Sequence, residues 1–81
     1  MILGALTNHV LAIEVGGTYR RLGSGAMVEI ARVLEVVPDR MGIPHVRFEL
    51  EASRGTGTPF IETRTLGLEA FQHRFREKIK E

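Results

Sequence analysis

The side chains best suited to chemistry in this 81-residue chain are its arginines, which supply nine of the eleven basic residues. The densest group is Tyr19-Arg20-Arg21, with Arg32, Arg47 and Arg64 farther along. A guanidinium is planar, forked and permanently charged, so it grips carboxylate or phosphate oxygens two at a time. Arginines beside an aromatic ring are what a nucleic-acid or acidic-peptide surface uses. Tyr19, Arg20, Arg21 and Arg47 are the candidate binding residues on that reading. A second reading competes with it. Glu29, Glu35, Glu49, Glu51 and Glu62 are interleaved with the same arginines. On adjacent strands they would form cross-strand ion pairs and leave a self-neutralised, solvated face. The sequence favours the second reading.

Other chemistries find less support. His9, His45 and His73 lie far apart and form no His-Glu-x-x-His pattern, so no metal site and no cofactor is expected. Gly16-Gly17-Thr18, Gly23-Ser24-Gly25 and Gly55-Thr56-Gly57-Thr58 offer backbone N–H groups to a phosphate. None ends in the Lys-Ser/Thr of a phosphate-binding loop, and glycine is expected in hairpin turns on conformational grounds alone. Ser24 and Ser53 are the candidate nucleophiles, but neither stands in a Gly-x-Ser-x-Gly elbow. The chain is therefore expected not to be an enzyme.

Composition bounds the rest. A hydrophobic fraction of 43% and a charged fraction of 26% are those of a globular domain. The length suits one domain over residues 1–81, near the margin where a single core offsets the entropy of ordering it. Because the chain lacks cysteine, no disulfide can relieve that margin, which raises the expectation of a homodimer or higher homo-oligomer. The same lack of cysteine points to a reducing cytoplasm. A net charge of +1 is not the bulk signature of a nucleic-acid binder. Residues 1–15 form an apolar arm or first strand, too short and too interrupted to span a bilayer and without the flanks of a signal peptide.

The elements that must position these side chains are mostly strands. In Pro44–Ala52 the residues Val46, Phe48, Leu50 and Ala52 alternate with His45, Arg47, Glu49 and Glu51, which predicts a strand with one packed and one solvated face. Thr18–Leu22, Ala26–Val37 and Phe60–Leu66 read as further strands, bounded by Gly and Pro turns. The apolar content of Ala26–Val37 falls on both parities, and Val28, Arg32 and Glu35 also recur at helical spacing, but the β-branched content and the flanking Gly and Pro turns favour a strand. Residues 18–66 are thus expected to be antiparallel strands. Leu68, Phe71, Phe75 and Ile79 then recur at spacings of three to four, which predicts an amphipathic helix over 67–80 with its phenylalanines on the sheet.

The order Tyr-Arg-Arg, a Gly turn, Val-Glu-Ile-Ala-Arg-Val, then Gly-Ile-Pro-His-Val-Arg-Phe and Arg-Thr-Leu-Gly-Leu-Glu-Ala-Phe resembles small, single-domain bacterial proteins of unknown function. Their build is similar to an SH3-like β-barrel. The resemblance covers residues 18–77 and leaves out the N-terminal arm. It implies a fold type and a bacterial setting and brings no catalytic residues with it.

The expected fold is α+β, mainly β: a strongly bent antiparallel sheet of four or five strands resembling an SH3-like barrel, with a C-terminal amphipathic helix. The expected function is a non-enzymatic protein-interaction module that self-associates, with a protein partner met through the arm or a free sheet edge. The alternative is a nucleic-acid-binding small barrel that uses Tyr19, Arg20, Arg21 and Arg47. No membrane partner is expected.

Overall fold

The computed structural model describes residues 13–79. They build a mainly β fold of five antiparallel strands and one short helix. In chain order the elements are β1 (Thr18–Leu22), β2 (Met27–Pro38), β3 (Pro44–Arg54), β4 (Phe60–Gly67), α1 (Leu68–Arg74) and β5 (Glu77–Ile79). The sheet order is β4-β3-β2-β1-β5, so β1 to β4 run as a meander and the last strand returns to the far side of β1. The sheet is not closed: β4 forms one edge and β5 the other.

The alternation in β3 decides which face packs. Val46, Phe48 and Leu50 are buried, while Arg47 and Glu51 are exposed. Opposite them on β2, Ala31 and Val33 turn to the same inner face. A register shift between Val33 and Glu35 then inserts one extra residue, Leu34. Such a bulge resets the strand's parity. Val36 thus falls opposite Val46 and packs against the core, and Val37 falls opposite His45 and is exposed. This is why the apolar residues of β2 occupy both parities in the sequence.

The β2–β3 hairpin is pinned by Asp39. Its Oδ1 accepts the backbone N–H groups of Met41 at 2.8 Å and Ile43 at 2.9 Å. The N–H of Ile43, with help from Met41, Gly42 and the nearby His45, holds the Asp39 carboxyl below its ordinary pKa. Gly42 sits at φ 82°, a left-handed conformation that costs glycine nothing and other residues about 1–2 kcal/mol.

α1 covers the inner face with aromatic rings. Phe71 meets Phe48 edge-on with centroids 5.0 Å apart and Tyr19 at 5.6 Å, and Phe75 meets Phe48 at 5.4 Å. All four rings are buried. Each phenylalanine contributes about 1.5–3 kcal/mol by leaving water, and the edge-on contacts add to that.

The expected helix over 67–80 is corrected by the structure. It ends at Arg74, and residues 77–79 form β5 against β1. Phe75 still donates its N–H to the Phe71 carbonyl at 2.8 Å, but its φ of −116° has already left the helix. A helix of this length gains little from its own hydrogen bonds. The side of β1 away from β2 offers a row of backbone partners, and pairing there outweighs another helical turn. Ile79 accordingly leaves the Phe stripe and lies opposite Thr18.

Residues 1–12 of the expected arm lie outside the described residues. The end of the arm that is described is tied down. Ile13 packs against the core. Gly16 donates to the Val33 carbonyl and Val33 to the Gly17 carbonyl, each at 2.9 Å, which carries the pairing of β1 with β2 upstream of Thr18. A Cβ on Gly17 would come within 3.1 Å of the Tyr19 ring and 3.0 Å of the Glu14 carbonyl, so the close approach there requires glycine. Among the described residues, no helix is long and apolar enough to cross a membrane.

Candidate functional site

The pleat divides the arginines between the two faces of the sheet. Arg20, Arg32 and Arg47 lie on the outer face, whereas Tyr19, Arg21 and Arg64 share the inner face with the core. The six residues therefore do not form one surface. Tyr19, a candidate binding residue from the sequence, is only 3% exposed. Its ring packs on Phe71, and its hydroxyl accepts the backbone N–H of Glu14 at 3.0 Å.

Four of the arginines face a glutamate directly across the ladder. Arg20 grips Glu77 through two bonds of 3.0 and 2.9 Å. Arg21 meets Glu29 at 3.1 Å, Arg32 meets Glu49 at 3.7 Å and Arg47 meets Glu35 at 2.6 Å. Directly opposed unlike charges stabilise a sheet by about 0.2–1 kcal/mol per pair. The functional consequence is larger than the energetic one. Each guanidinium already holds a carboxylate, so an incoming phosphate would have to displace it.

Glu29 is the most enclosed carboxylate. It lies on the inner face, meets Arg21 with one oxygen and Arg74 of α1 at 3.3 Å with the other, and thereby ties the helix to the sheet. Arg74 also lies 5.9 Å from the centroid of the Phe75 ring. Among the described residues Arg40, Arg54 and Arg76 form no ion pair, and they sit at the β2–β3 turn, the far end of β3 and the α1–β5 link. Three separate places do not make the continuous stripe that tracks a nucleic-acid backbone.

The other sequence candidates are scattered as well. His45 stands at the start of β3 with its Nδ1 3.0 Å from the Ile43 carbonyl, and His73 is exposed on α1. His9 is outside the described residues. Among the described residues no three His, Asp or Glu side chains come together as metal ligands would. Ser24 belongs to a short 3₁₀ turn, and Ser53 lies on β3 opposite Val28. A shallow depression between residues 14–18 and β5 is lined by Glu14 and Lys78. Those two form an ion pair that lowers the Glu14 pKa and raises that of Lys78.

The longer of the two edge strands is β4. Its inward side pairs with β3 along the whole strand, and among the described residues nothing pairs with its outward side. That side presents a row of unbonded N–H and C=O groups beside two large exposed side chains, Phe60 at 54% and Ile61 at 57%. Phe60 lies on the inner face and Ile61 on the outer one, because their partners are Ala52 and Glu51. Glu62 and Arg64 carry charge on the inner face and are paired with each other along the strand. Reading the sequence identified this segment as a strand but could not place it at an edge. The available signal was the charge at Glu62 and Arg64 on the parity that a central strand would fill with apolar residues.

Comparison of the chain with protein-family models, with curated proteins and with solved structures returned no match.

Proposed function

We propose that this chain is a non-enzymatic protein-interaction module that binds through the free edge of β4 and associates with itself. One observation carries the reading. β4 is an eight-residue edge strand whose outward backbone groups have no partner among the described residues, with exposed Phe60 and Ile61 at one end. An extended segment laid along such an edge gains main-chain hydrogen bonds for affinity and side-chain contacts on both faces for selectivity. The last strand beside the first, with a helix between the fourth and the fifth, supports the SH3-like build that the sequence resembles.

The nucleic-acid alternative through Tyr19, Arg20, Arg21 and Arg47 has less behind it. Its aromatic residue is a core residue, and its arginines are engaged with Glu77, Glu29 and Glu35. Binding by released counterions would also need several free cations on one face.

Affinity capture with the tagged chain, with and without nuclease and at low and high salt, tests the proposal. The expected result is a protein partner, or a second copy, that survives both treatments. A Thr63→Lys/Thr65→Lys variant, which adds two charges to the exposed outer face of β4, should lose that partner while keeping its circular dichroism spectrum. Partners that disappear with nuclease would overturn the reading in favour of nucleic acid.

A further inference from the structure

We infer that the partner of the β4 edge is a second copy of the same strand, paired antiparallel about Thr63 so that the two sheets continue into one. The inference rests on the edge-binding reading above and adds the occupant and its register.

The charge pattern of β4 argues for it. Its sequence is Phe60-Ile61-Glu62-Thr63-Arg64-Thr65-Leu66-Gly67. A two-fold axis at Thr63 places each residue opposite the one equally far on the other side of the dyad. Glu62 of one copy then faces Arg64 of the other, and the reverse pair is generated by symmetry. Phe60 faces Leu66, Ile61 faces Thr65, and Thr63 faces itself. Every pair is therefore complementary in charge or polarity, or joins an apolar residue to one that presents a methyl group. This is what a two-fold interface demands, since the same patch must be its own partner.

Moving the register by two residues loses that match. A dyad at Ile61 sets Phe60 opposite Glu62 and leaves Arg64 beyond the β4 of the partner, and a dyad at Thr65 sets Arg64 opposite Leu66 and Glu62 opposite Leu68. A dyad at Glu62 or Arg64 opposes like charges directly, which is destabilising. Thr63 is the centre that satisfies both charges at once.

The same two residues explain why the edge does not accept any strand. Charges on the inward face of an edge strand penalise pairing with a partner that cannot neutralise them. In the monomer Glu62 and Arg64 neutralise each other along the strand. In the pair each keeps an opposite charge, now across the ladder, so the exchange leaves no carboxylate or guanidinium unmatched. Phe60 gains a partner in Leu66, which already borders the core.

Sedimentation velocity on the full chain tests this with charge reversals. The wild-type chain of 9.0 kDa should reach twice that mass as its concentration rises. Glu62→Arg sets arginine against arginine twice per dimer, and Arg64→Glu sets carboxylate against carboxylate twice. Either change should weaken dimerisation by roughly tenfold or more, because directly opposed like charges are destabilising. The Glu62→Arg/Arg64→Glu double variant should regain the wild-type dimer. A mixture of the two single variants should form a heterodimer tighter than either homodimer. That restoration cannot come from misfolding, so it separates a lost contact from a lost fold.

A wild-type chain that stays monomeric at every concentration overturns the inference. So do single variants that dimerise as well as the wild type, and a mixture no tighter than its components. If the monomer still draws a nuclease-resistant partner that Thr63→Lys/Thr65→Lys abolishes, self-pairing alone has failed. If it draws none, the edge-binding reading fails with it.

Discussion

At the scale of single residues, the aromatic cluster carries the stability of the domain. Phe48, Phe71 and Phe75 are each at most 1% exposed and touch one another's rings. Phe71→Ala should cost about 3–5 kcal/mol, measured by chemical denaturation. A domain this small has only about 5–15 kcal/mol in total, so the variant should be close to unfolded. Ala26 works in the opposite direction. It holds φ 62° just before β2, where a side chain is disfavoured, so Ala26→Gly should stabilise by about 0.5–1 kcal/mol in the same assay.

Asp39 makes a prediction about pH. Its carboxyl is held below its ordinary value chiefly by the Ile43 N–H, so the folded state favours the ionised form. The stability it contributes is fully present above the ordinary aspartate pKa of about 3.9 and is lost as pH falls through the lower folded value. Asp39→Asn should flatten the acid limb of a stability–pH profile and leave its slope near neutrality unchanged. Phe71 and Phe75 were legible in the sequence because their spacing and hydrophobicity agree, and Phe48 because it falls on the apolar parity of β3. Tyr19 was not, because its neighbours Arg20 and Arg21 suggested a surface, whereas the pleat sends alternate residues to opposite faces and turns its ring inward.

At the scale of elements, β3 and β4 were legible because their alternation and their Gly or Pro boundaries point the same way, and β1 because Gly turns bound it on both sides. The bulge at Leu34 was not, since nothing local marks it. It follows from the need to bring Val36 as well as Val33 onto the core face of β3. The end of α1 was also hidden. No glycine or proline follows Arg74, and Ile79 continues the helical spacing. What stops the helix is the unpaired side of β1, a partner 57 residues away along the chain between Arg20 and Glu77. At its start, α1 has Gly67 as its N-cap and no side-chain cap bond. An added Cβ there would meet nothing within 4 Å. Gly67→Asp should therefore supply a cap and stabilise by about 0.5 kcal/mol, seen as a higher denaturation midpoint.

For the whole molecule, the open sheet is the feature on which the proposed function rests. β5 closes one side of β1 with only three residues, and β4 leaves a much longer edge on the other side of the sheet. The arginine-rich face that looked the most chemical in the sequence is largely occupied by its own glutamates. Among the described residues, the unfilled bonding capacity lies in the backbone of β4, which composition and motif cannot reveal because it depends on strand order. The sequence therefore showed β4 as a strand but set its candidate site elsewhere, at Tyr19, Arg20, Arg21 and Arg47.

Hydrogen–deuterium exchange of the β4 amides, followed over a range of protein concentrations, tests this account most directly. Amides that point away from β3 should exchange quickly in dilute protein and become protected as concentration rises, with β5 unchanged. Equal exchange of those amides at all concentrations, or protection that appears only on the outer-face arginine strands when nucleic acid is added, would contradict it.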